Sequence, residues 1–403
     1  MAIGDSFSSL VHNRANPVTS DVQRVVFGAG SDIGEPGSSA IIKTIRADGP
    51  QIVPHWPAGA DSSHWNFWSR EALAYENHVP DAFRVGGLRG PRLLDRVELS
   101  DGSVQLWLED VVGRSGHELD LADHARISRR LGKAQGSIRP RVDGSSPVEI
   151  EAERAARAEA QAQVPAETPT PVPVQTQWLD LPFLSRGWMR SYALSRPAGP
   201  GIRDDPQAWE HPVVVAGFGE ARHRLRARFG ELYRDAPRWF ELMESLPRTL
   251  CHLDFWPNNA IAVVGTDEPD DVLIDWAFVG DGAVGEDPGN WVPDTLFDHF
   301  MEPERFAELD AAVWQAYSAG LIEAGWPWPI EFARLGMCAS AIKFLWLPGL
   351  MVSTADHKGP TGYGGQPSYP LVEVFRRRAL VFERLLGWLD EASDLARSLK
   401  LPF

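Results

Sequence analysis

The sequence predicts an α+β protein in two lobes, a smaller one made mainly of strands over residues 1–112 and a larger, mainly α-helical one over 113–403. Three observations carry that expectation. β-prone runs separated by turn residues crowd into the first part of the chain. Apolar residues at helical spacing dominate the rest. Between helical patterns lies one stretch of different character, LCHLDFWPNNAIAVVGTDEPDDVLIDWAFVGDGAVGEDPGN from Leu250 to Asn290, in which two polar clusters each follow a short apolar run.

In chain order, Val22 to Phe27 is a β-prone run that opens into Gly28-Ala29-Gly30-Ser31, and Ser39-Ala40-Ile41-Ile42-Lys43 is the next. The pair reads as two strands around a glycine-containing turn. Gly28, Gly30 and Gly34 are spaced one residue longer than GxGxxG, so a plain hairpin loop explains them as well as a phosphate-covering loop does. Lys43 is more telling, because lysine occurs only five times and none of the others precedes Lys133. Ser62 to Val79 has helical spacing, with Trp65, Trp68, Ala72, Tyr75 and Val79 in one stripe. Glu71 and Glu76 flank that stripe on opposite sides, each about 70° from its centre at roughly 100° per residue, and periodicity does not choose which of them meets Lys43. Val97 to Leu99 and Val104 to Leu108 form a hairpin about Asp101-Gly102. It runs into Glu109 to Gly113, the expected connection between lobes, where backbone groups would read a purine edge.

Leu121 to Gln135 starts the larger lobe as a helix. An insertion follows at about 140–177: Val148 to Gln163 is rich in Ala, Glu and Arg, and prolines stand at 165, 169, 171 and 173. It lacks an apolar stripe and is expected to be peripheral. Helices resume from Phe218 with Ala221, Leu225, Phe229 and Leu232 on one face, and a separate helix is expected between Pro237 and Pro247. Further helices are marked by Phe306, Leu309, Val313 and Tyr317, by Glu331 to Leu347, and by Phe375, Ala379, Phe382, Leu386 and Leu389. The loop Lys358 to Gly365 either lines a pocket or connects.

The Leu250–Asn290 stretch carries the chemistry. His252-Leu253-Asp254 through Asn259 has the HxDxxxxN spacing of a kinase catalytic loop, in which a carboxylate positions a hydroxyl and an amide five residues on holds a metal ion. Ala260 to Val264 and Val272 to Ile274 would be strands of a hairpin that brings Asp254, Asn259 and Asp275 to one point. Such oxygen ligands suit Mg²⁺, which shares its remaining sites with phosphates. Each residue alone has a bland explanation as a turn, cap or strand-end residue; the ordered set does not.

Composition sets outer limits. With 403 residues, of which 43% are hydrophobic, the chain can bury a large core. A net charge of −16, from 55 acidic and 39 basic side chains, disfavours nucleic acid and anionic membranes as partners. The start has no apolar segment of signal-peptide length, and the run around Phe344 to Val352 is interrupted by Pro348 and too short to span a bilayer, so a cytoplasmic location is the default expectation. Cys251 and Cys338, the only two cysteines, provide neither a disulfide framework nor a zinc site.

HLDFWPNN followed by LIDWAFVGDGAVGEDPGN resembles the aminoglycoside phosphotransferase and choline kinase superfamily, whose typical form is HGD-x4-N, then Asp-Trp or Asp-Phe, then Gly-Asp-Pro. The resemblance is specific over Thr249 to Asp294, looser over Val22 to Gly113 and general in the helical C-terminal part. It implies a bilobal, protein-kinase-like fold that phosphorylates a small-molecule hydroxyl with ATP or GTP. By that resemblance Asp254 is the catalytic base, Asn259 and Asp275 are the magnesium ligands, and Lys43 binds phosphate. Gly28, Gly30 and Ser31 would cover the nucleotide, Glu71 matches the helix glutamate better than Glu76, and Asp287 braces the loop. The sequence departs from the pattern in the leucine before Asp254, the glutamate before Asp287 and the long insertion. An antibiotic acceptor, aminoglycoside-like or another glycosylated or nucleoside natural product, is favoured over a choline-, homoserine- or sugar-like metabolite. Asp281, Glu286, Asp294 and Asp298 would be either a pocket for a cationic acceptor or a solvated acidic face. A protein kinase fits less well, since His252-Leu253-Asp254 lacks the arginine that grips an activation segment and no Ala-Pro-Glu follows. An inactive nucleotide-binding scaffold is disfavoured by the presence of all four central residues. Oligomeric state is not legible.

Overall fold

The computed structural model describes residues 5–12, 16–29, 31, 33–49, 56–139, 174–196, 205–263, 265, 270–356 and 369–403. The insertion lies outside them apart from its end, where Gln175 bridges to Ile138; Gly30 and the loop Lys358 to Gly365 lie outside them too.

Strands β1 (Ser6–Ser9), β2 (Thr19–Val26), β3 (Ser39–Ile45), β4 (Leu88–Arg89), β5 (Leu93–Glu98) and β6 (Val104–Glu109) fall in the first 112 residues. Five of them form one antiparallel sheet in the order β1-β2-β3-β6-β5. Side chains alternate between the two faces of a strand. On β3 that sends Ala40 and Ile42 to an outer cluster with Val25, Phe27 and Trp107, and Ile41 and Ile45 to the main core. Lys43 shares the parity of Ile41 and Ile45, so the period of two points the one early lysine inward.

The helix expected over Ser62 to Val79 is shorter, running only from Arg70 to Glu76 (α1). Arg70 explains the late start. Its guanidinium is fully buried and donates to five carbonyls, those of Ser62 (3.1 Å), His64 (2.7 Å), Trp65 (2.9 Å), Phe183 (2.9 Å) and Ala277 (3.2 Å). The preceding carbonyls are therefore taken by a side chain and are not free for a helical ladder. Trp65 is still buried, against Phe278 and Tyr192, which is why the apolar stripe extends beyond the helix. After α1 the chain turns through His78 (φ 57°) into a 3₁₀ segment, Val79–Gly86, whose Pro80 has no N–H to continue an α-helix.

The remaining helices are α2 (Leu121–Ser137), α3 (Trp188–Ser195), α4 (Pro212–Phe218), α5 (Ala221–Ser245), α6 (Glu286–Phe297), α7 (Phe306–Glu323), α8 (Glu331–Ala339), α9 (Leu347–Ser353) and α10 (Leu371–Ser398). Short strands β7 (Ser185–Arg186), β8 (Arg248–Cys251), β9 (Ala260–Ile261), β10 (Asp271–Leu273) and β11 (Gly280–Ala283) complete the fold. The α+β architecture, strands first and helices after, is the one expected. Besides α1, two further helix boundaries differ. The two helices expected around Pro237 are one, α5, because a single buried stripe of Leu225, Phe229, Leu232, Ala236, Phe240 and Met243 continues across the proline and its packing offsets one lost backbone bond. The helix expected over Glu331 to Leu347 instead breaks into α8, a 3₁₀ segment Ser340–Phe344, and α9, which has Pro348 in its first turn. Glu331–Ser353 as a whole is long and apolar enough to cross a membrane by length and composition, but 89% of its most apolar window is buried inside the protein.

Helix α2 starts on a reciprocal cap, Asp120 with Asp123, and crosses α7 at glycines. A Cβ on Gly132 would lie 2.1 Å from the Tyr317 carbonyl oxygen, and one on Gly320 would lie 2.1 Å from that of Arg129. Because backbone meets backbone there, Gly132→Ala should cost about 2 kcal/mol or more despite alanine's better helix propensity. Chemical denaturation checks this; a stabilised variant would mean that the crossing is looser than described.

Candidate active site

Strand β8 pairs with β11 and delivers the chain into the loop that carries Asp254. Leu253 stands at φ 63°, a left-handed conformation that costs a non-glycine residue roughly 1–2 kcal/mol. The neighbours account for it. Asp287, at the start of α6, accepts the N–H groups of His252 (2.9 Å) and Leu253 (2.8 Å), and Gln135 Nε2 donates to the same carboxylate (2.7 Å). With both backbone donors held and the leucine side chain buried at 2% exposure, the turn needs no glycine. Burial pushes the Asp287 carboxyl up to about 7, against those two amide donors. His252 donates from Nε2 to the Ile274 carbonyl (3.0 Å), tying the loop to the second polar cluster; burial lowers its imidazole to about 4.

Asn259 Nδ2 donates to both the carboxylate (2.8 Å) and the carbonyl (2.9 Å) of Asp254. The Ile274 N–H donates to the Asn259 carbonyl (2.9 Å), and β9 pairs antiparallel with β10, so the hairpin closes as the sequence implies. Asp275 follows at φ 63°, with its side chain 37% exposed. Burial pushes the Asp254 carboxyl up to about 7, helped by the negative charge of Asp275. Burial also opposes ionising Asp275, but the Lys43 ammonium outweighs it and holds that carboxyl below its usual range. The two carboxylates thus lie within each other's field.

Lys43 lies between two acids, with Nζ 2.6 Å from Glu71 and 2.8 Å from Asp275. The choice between glutamates resolves to Glu71, which is 2% exposed on the inner side of α1; Glu76, at the helix end, pairs with Arg96 at 2.5 Å. Burial raises the Glu71 carboxyl to about 6, with Lys43 opposing. The loop between β2 and β3 is less committed to a ligand. The Gly28 N–H donates to Asp5 (2.9 Å), the Ser31 N–H reaches the Gly28 carbonyl (3.4 Å), and Gly34 packs on the Phe27 ring. Between the lobes, Glu109 is held by Arg89 (2.7 Å) and Asp110 by Arg24 (2.6 Å). Among the described residues nothing bonds the backbone groups of Val111, Val112 and Gly113.

The acidic residues after Asp275 are neither a solvated face nor a shared cation pocket. Asp281 pairs with Arg248 (2.8 Å), and Glu286 is buried and accepts the Ala283 N–H (2.9 Å). Asp294 lies 3.8 Å from Lys343 and adds to the rise of the Asp254 carboxyl, and Asp298 lies 3.8 Å from Arg378. Sequence reasoning missed Lys343. Its ammonium is hydrogen-bonded to Asn290 Oδ1, while Asn290 Nδ2 donates to the Phe255 carbonyl beside Asp254 (2.9 Å). The available signal was a lone lysine within the apolar run Ala341-Ile342-Lys343-Phe344-Leu345.

No family model matches the sequence, and no curated protein matches it. Among solved structures the chain is similar in fold to aminoglycoside phosphotransferases and to small-molecule kinases. One is amicoumacin kinase hAmiN in complex with AMP-PNP and Ca²⁺, at 11% identity over 93% of this chain and 88% of that one, with a TM-score of 0.46. An aminoglycoside phosphotransferase from Alicyclobacillus acidocaldarius is 13% identical over 97% and 92%, also at 0.46. A microcompartment-associated aminopropanol kinase is 15% identical over 96% and 94%, at 0.45.

Proposed function

We propose that the protein is a small-molecule O-phosphotransferase that moves the γ-phosphoryl group of ATP or GTP to a substrate hydroxyl. The observation that carries this reading is the convergence of Lys43, Glu71, Asp254, Asn259 and Asp275, drawn from a sheet, a helix and two loops, on one partly open point. Phosphoryl transfer asks mainly for positioning and charge neutralisation, and this set provides both. Asp254 orients the acceptor hydroxyl and takes its proton. Lys43, fixed by Glu71, meets the nucleotide phosphates. Asn259 and Asp275 fit a magnesium ion: Asn259 uses its Nδ2 internally and among the described residues no group donates to its Oδ1, while Lys43 keeps the partly exposed Asp275 carboxylate ionised. When bound, the ion would neutralise phosphate charge. Among the described residues the backbone of Val111 to Gly113 has no partner, which supports a role in reading the purine. Of Gly28, Gly30 and Ser31, Gly28 contributes least to phosphate binding, because Asp5 already takes its amide.

The acceptor is a hydroxylated antibiotic or a metabolite. The acidic run gives no support to a polycationic aminoglycoside, since Asp281 and Glu286 are satisfied within the protein. A nucleotide-consumption screen of the purified protein against hydroxylated antibiotics, sugars and amino alcohols tests the reading. Acceptor-dependent release of nucleoside diphosphate is expected; absence of any magnesium–nucleotide binding would overturn it.

The Lys43–Glu71 pair makes a separate prediction. Lys43→Met and Glu71→Gln should each lower kcat/KM by about 10² or more, and the double variant little further, because the two act as one unit. Glu76→Gln is the control and should be near wild type. Coupling of Lys43 to Glu76 in the double-mutant cycle would show the wrong glutamate had been assigned.

A further inference from the structure

Linked to Asp254 through Lys343, Asn290 and the Phe255 carbonyl is a cluster of aromatic rings that already hold cations of the chain itself. The Arg196 guanidinium lies over Trp56 (4.1 Å), Tyr192 (4.2 Å) and Trp346 (5.3 Å). The Lys343 ammonium lies over Trp188 (5.1 Å) and Tyr192 (5.2 Å). Tyr192 thus joins two cations. Both are deeply buried, at 6% and 5% exposure. Rings so placed are what a protein uses to hold an ammonium ligand, and here that role is filled internally.

The hydrogen-bond inventory points the same way. Arg196 Nε and the indole N–H groups of Trp56, Trp188 and Trp346 are buried donors without an acceptor. Among the described residues no carboxylate lies within ion-pair distance of Arg196, and the one nearest Lys343, Asp294, is 3.8 Å away. A buried guanidinium without a counter-charge is costly, and native proteins seldom leave several donors unmatched in one cluster. Among the described residues the carboxylates of Asp254, Glu286 and Asp294 share the field of Lys343, whereas none pairs with Arg196, and four N–H groups of the cluster are unmatched. The cluster is also connected to the catalytic loop, through Lys343 to Asn290 and from there to the Phe255 carbonyl next to Asp254.

We infer that the acceptor carries an oxyanion, a carboxylate or phosphate ester, in addition to its reacting hydroxyl, and that Arg196 and Lys343 bind it while excluding cationic acceptors. The inference rests on the phosphotransferase reading and names the acceptor class for that site. It places the acceptor among hydroxy acids and sugar- or polyol-phosphate-like molecules, so a reaction that forms a hydroxylated anion must supply it.

A matched series tests this: glycerate, glycerol phosphate, glycerol and aminopropanediol, titrated into the full chain with magnesium and a non-hydrolysable nucleotide, with tryptophan fluorescence as the readout. Saturable binding of glycerate or glycerol phosphate, at least about tenfold tighter than glycerol, is expected, with aminopropanediol weakest. Which anion binds tighter separates a carboxylate from a phosphate acceptor. Arg196→Gln should reduce the anion preference to about threefold or less, and Arg196→Lys should keep part of it. If Arg196→Gln does not fold, Lys343→Met read against Arg196→Lys replaces it. Failure of both anions to saturate, tightest binding by aminopropanediol, or an unchanged preference in the glutamine variant would each overturn the inference. Nucleotide stabilisation without anion binding sinks the inference alone; anion binding without any magnesium–nucleotide effect sinks the phosphotransferase reading and leaves the anion site standing.

Discussion

Asp254→Asn should lower turnover by about 10² or more while leaving magnesium–nucleotide affinity nearly unchanged. The substitution keeps size and one oxygen, so the Asn259 Nδ2 that now donates to the Asp254 carboxylate at 2.8 Å retains an acceptor and the loop keeps its shape. What is lost is proton acceptance and one of two negative charges that lie within each other's field. Relief of that repulsion also makes a folding defect an unattractive explanation for lost activity, because burial and Asp275 already push the Asp254 carboxyl up to about 7. Single-turnover measurements with saturating nucleotide would separate the chemical step from binding. Near-wild-type turnover would remove Asp254 from its role.

Asp275→Ala should abolish magnesium-dependent nucleotide binding. An oxygen ligand and a charge facing the phosphates disappear together, and Lys43 loses the partner at 2.8 Å that holds it toward the cleft. Glu71, at 2.6 Å, would then hold the ammonium alone on the α1 side. The loss should therefore exceed that from removing a metal ligand only. Thermal-shift titration with nucleotide, with and without Mg²⁺, reads it directly: wild-type protein should be stabilised by the pair, and the variant should not. An undiminished shift would exclude Asp275 as a ligand.

What could be read from the sequence was local. Asp254, Asn259 and Asp275 sit in a hairpin whose strands, turns and polar positions lie within one stretch, so spacing alone brings them together. Lys43 was visible through its rarity, and the parity of the observed β3 then accounts for its inward direction. Periodicity could not separate Glu71 from Glu76, because both flank the stripe; the resemblance favoured Glu71, and the structure pairs Glu71 with Lys43 and Glu76 with Arg96. The start of α1 was misjudged for a related reason, since burial of Trp65 produces a helical-looking stripe whether or not its carbonyl joins a helix. Lys343 stood out only as a lone lysine in an apolar run, and Arg196, in Leu-Ser-Arg-Pro, carried no signal at all. Their meaning depends on rings contributed by segments far apart in the chain.

The buried guanidinium of Arg70 has a consequence for control. It sits one residue before Glu71 and binds carbonyls on three separate segments, including Ala277 just beyond Asp275. To swing α1 outward, and so part Glu71 from Lys43, the chain would have to desert those charged bonds. If water and relaxation left a net cost of even 5.5 kcal/mol, the swung-out form would be about one molecule in 10⁴. On the phosphotransferase reading, that helix would be no throttle: output would follow how much protein is made and how much acceptor arrives.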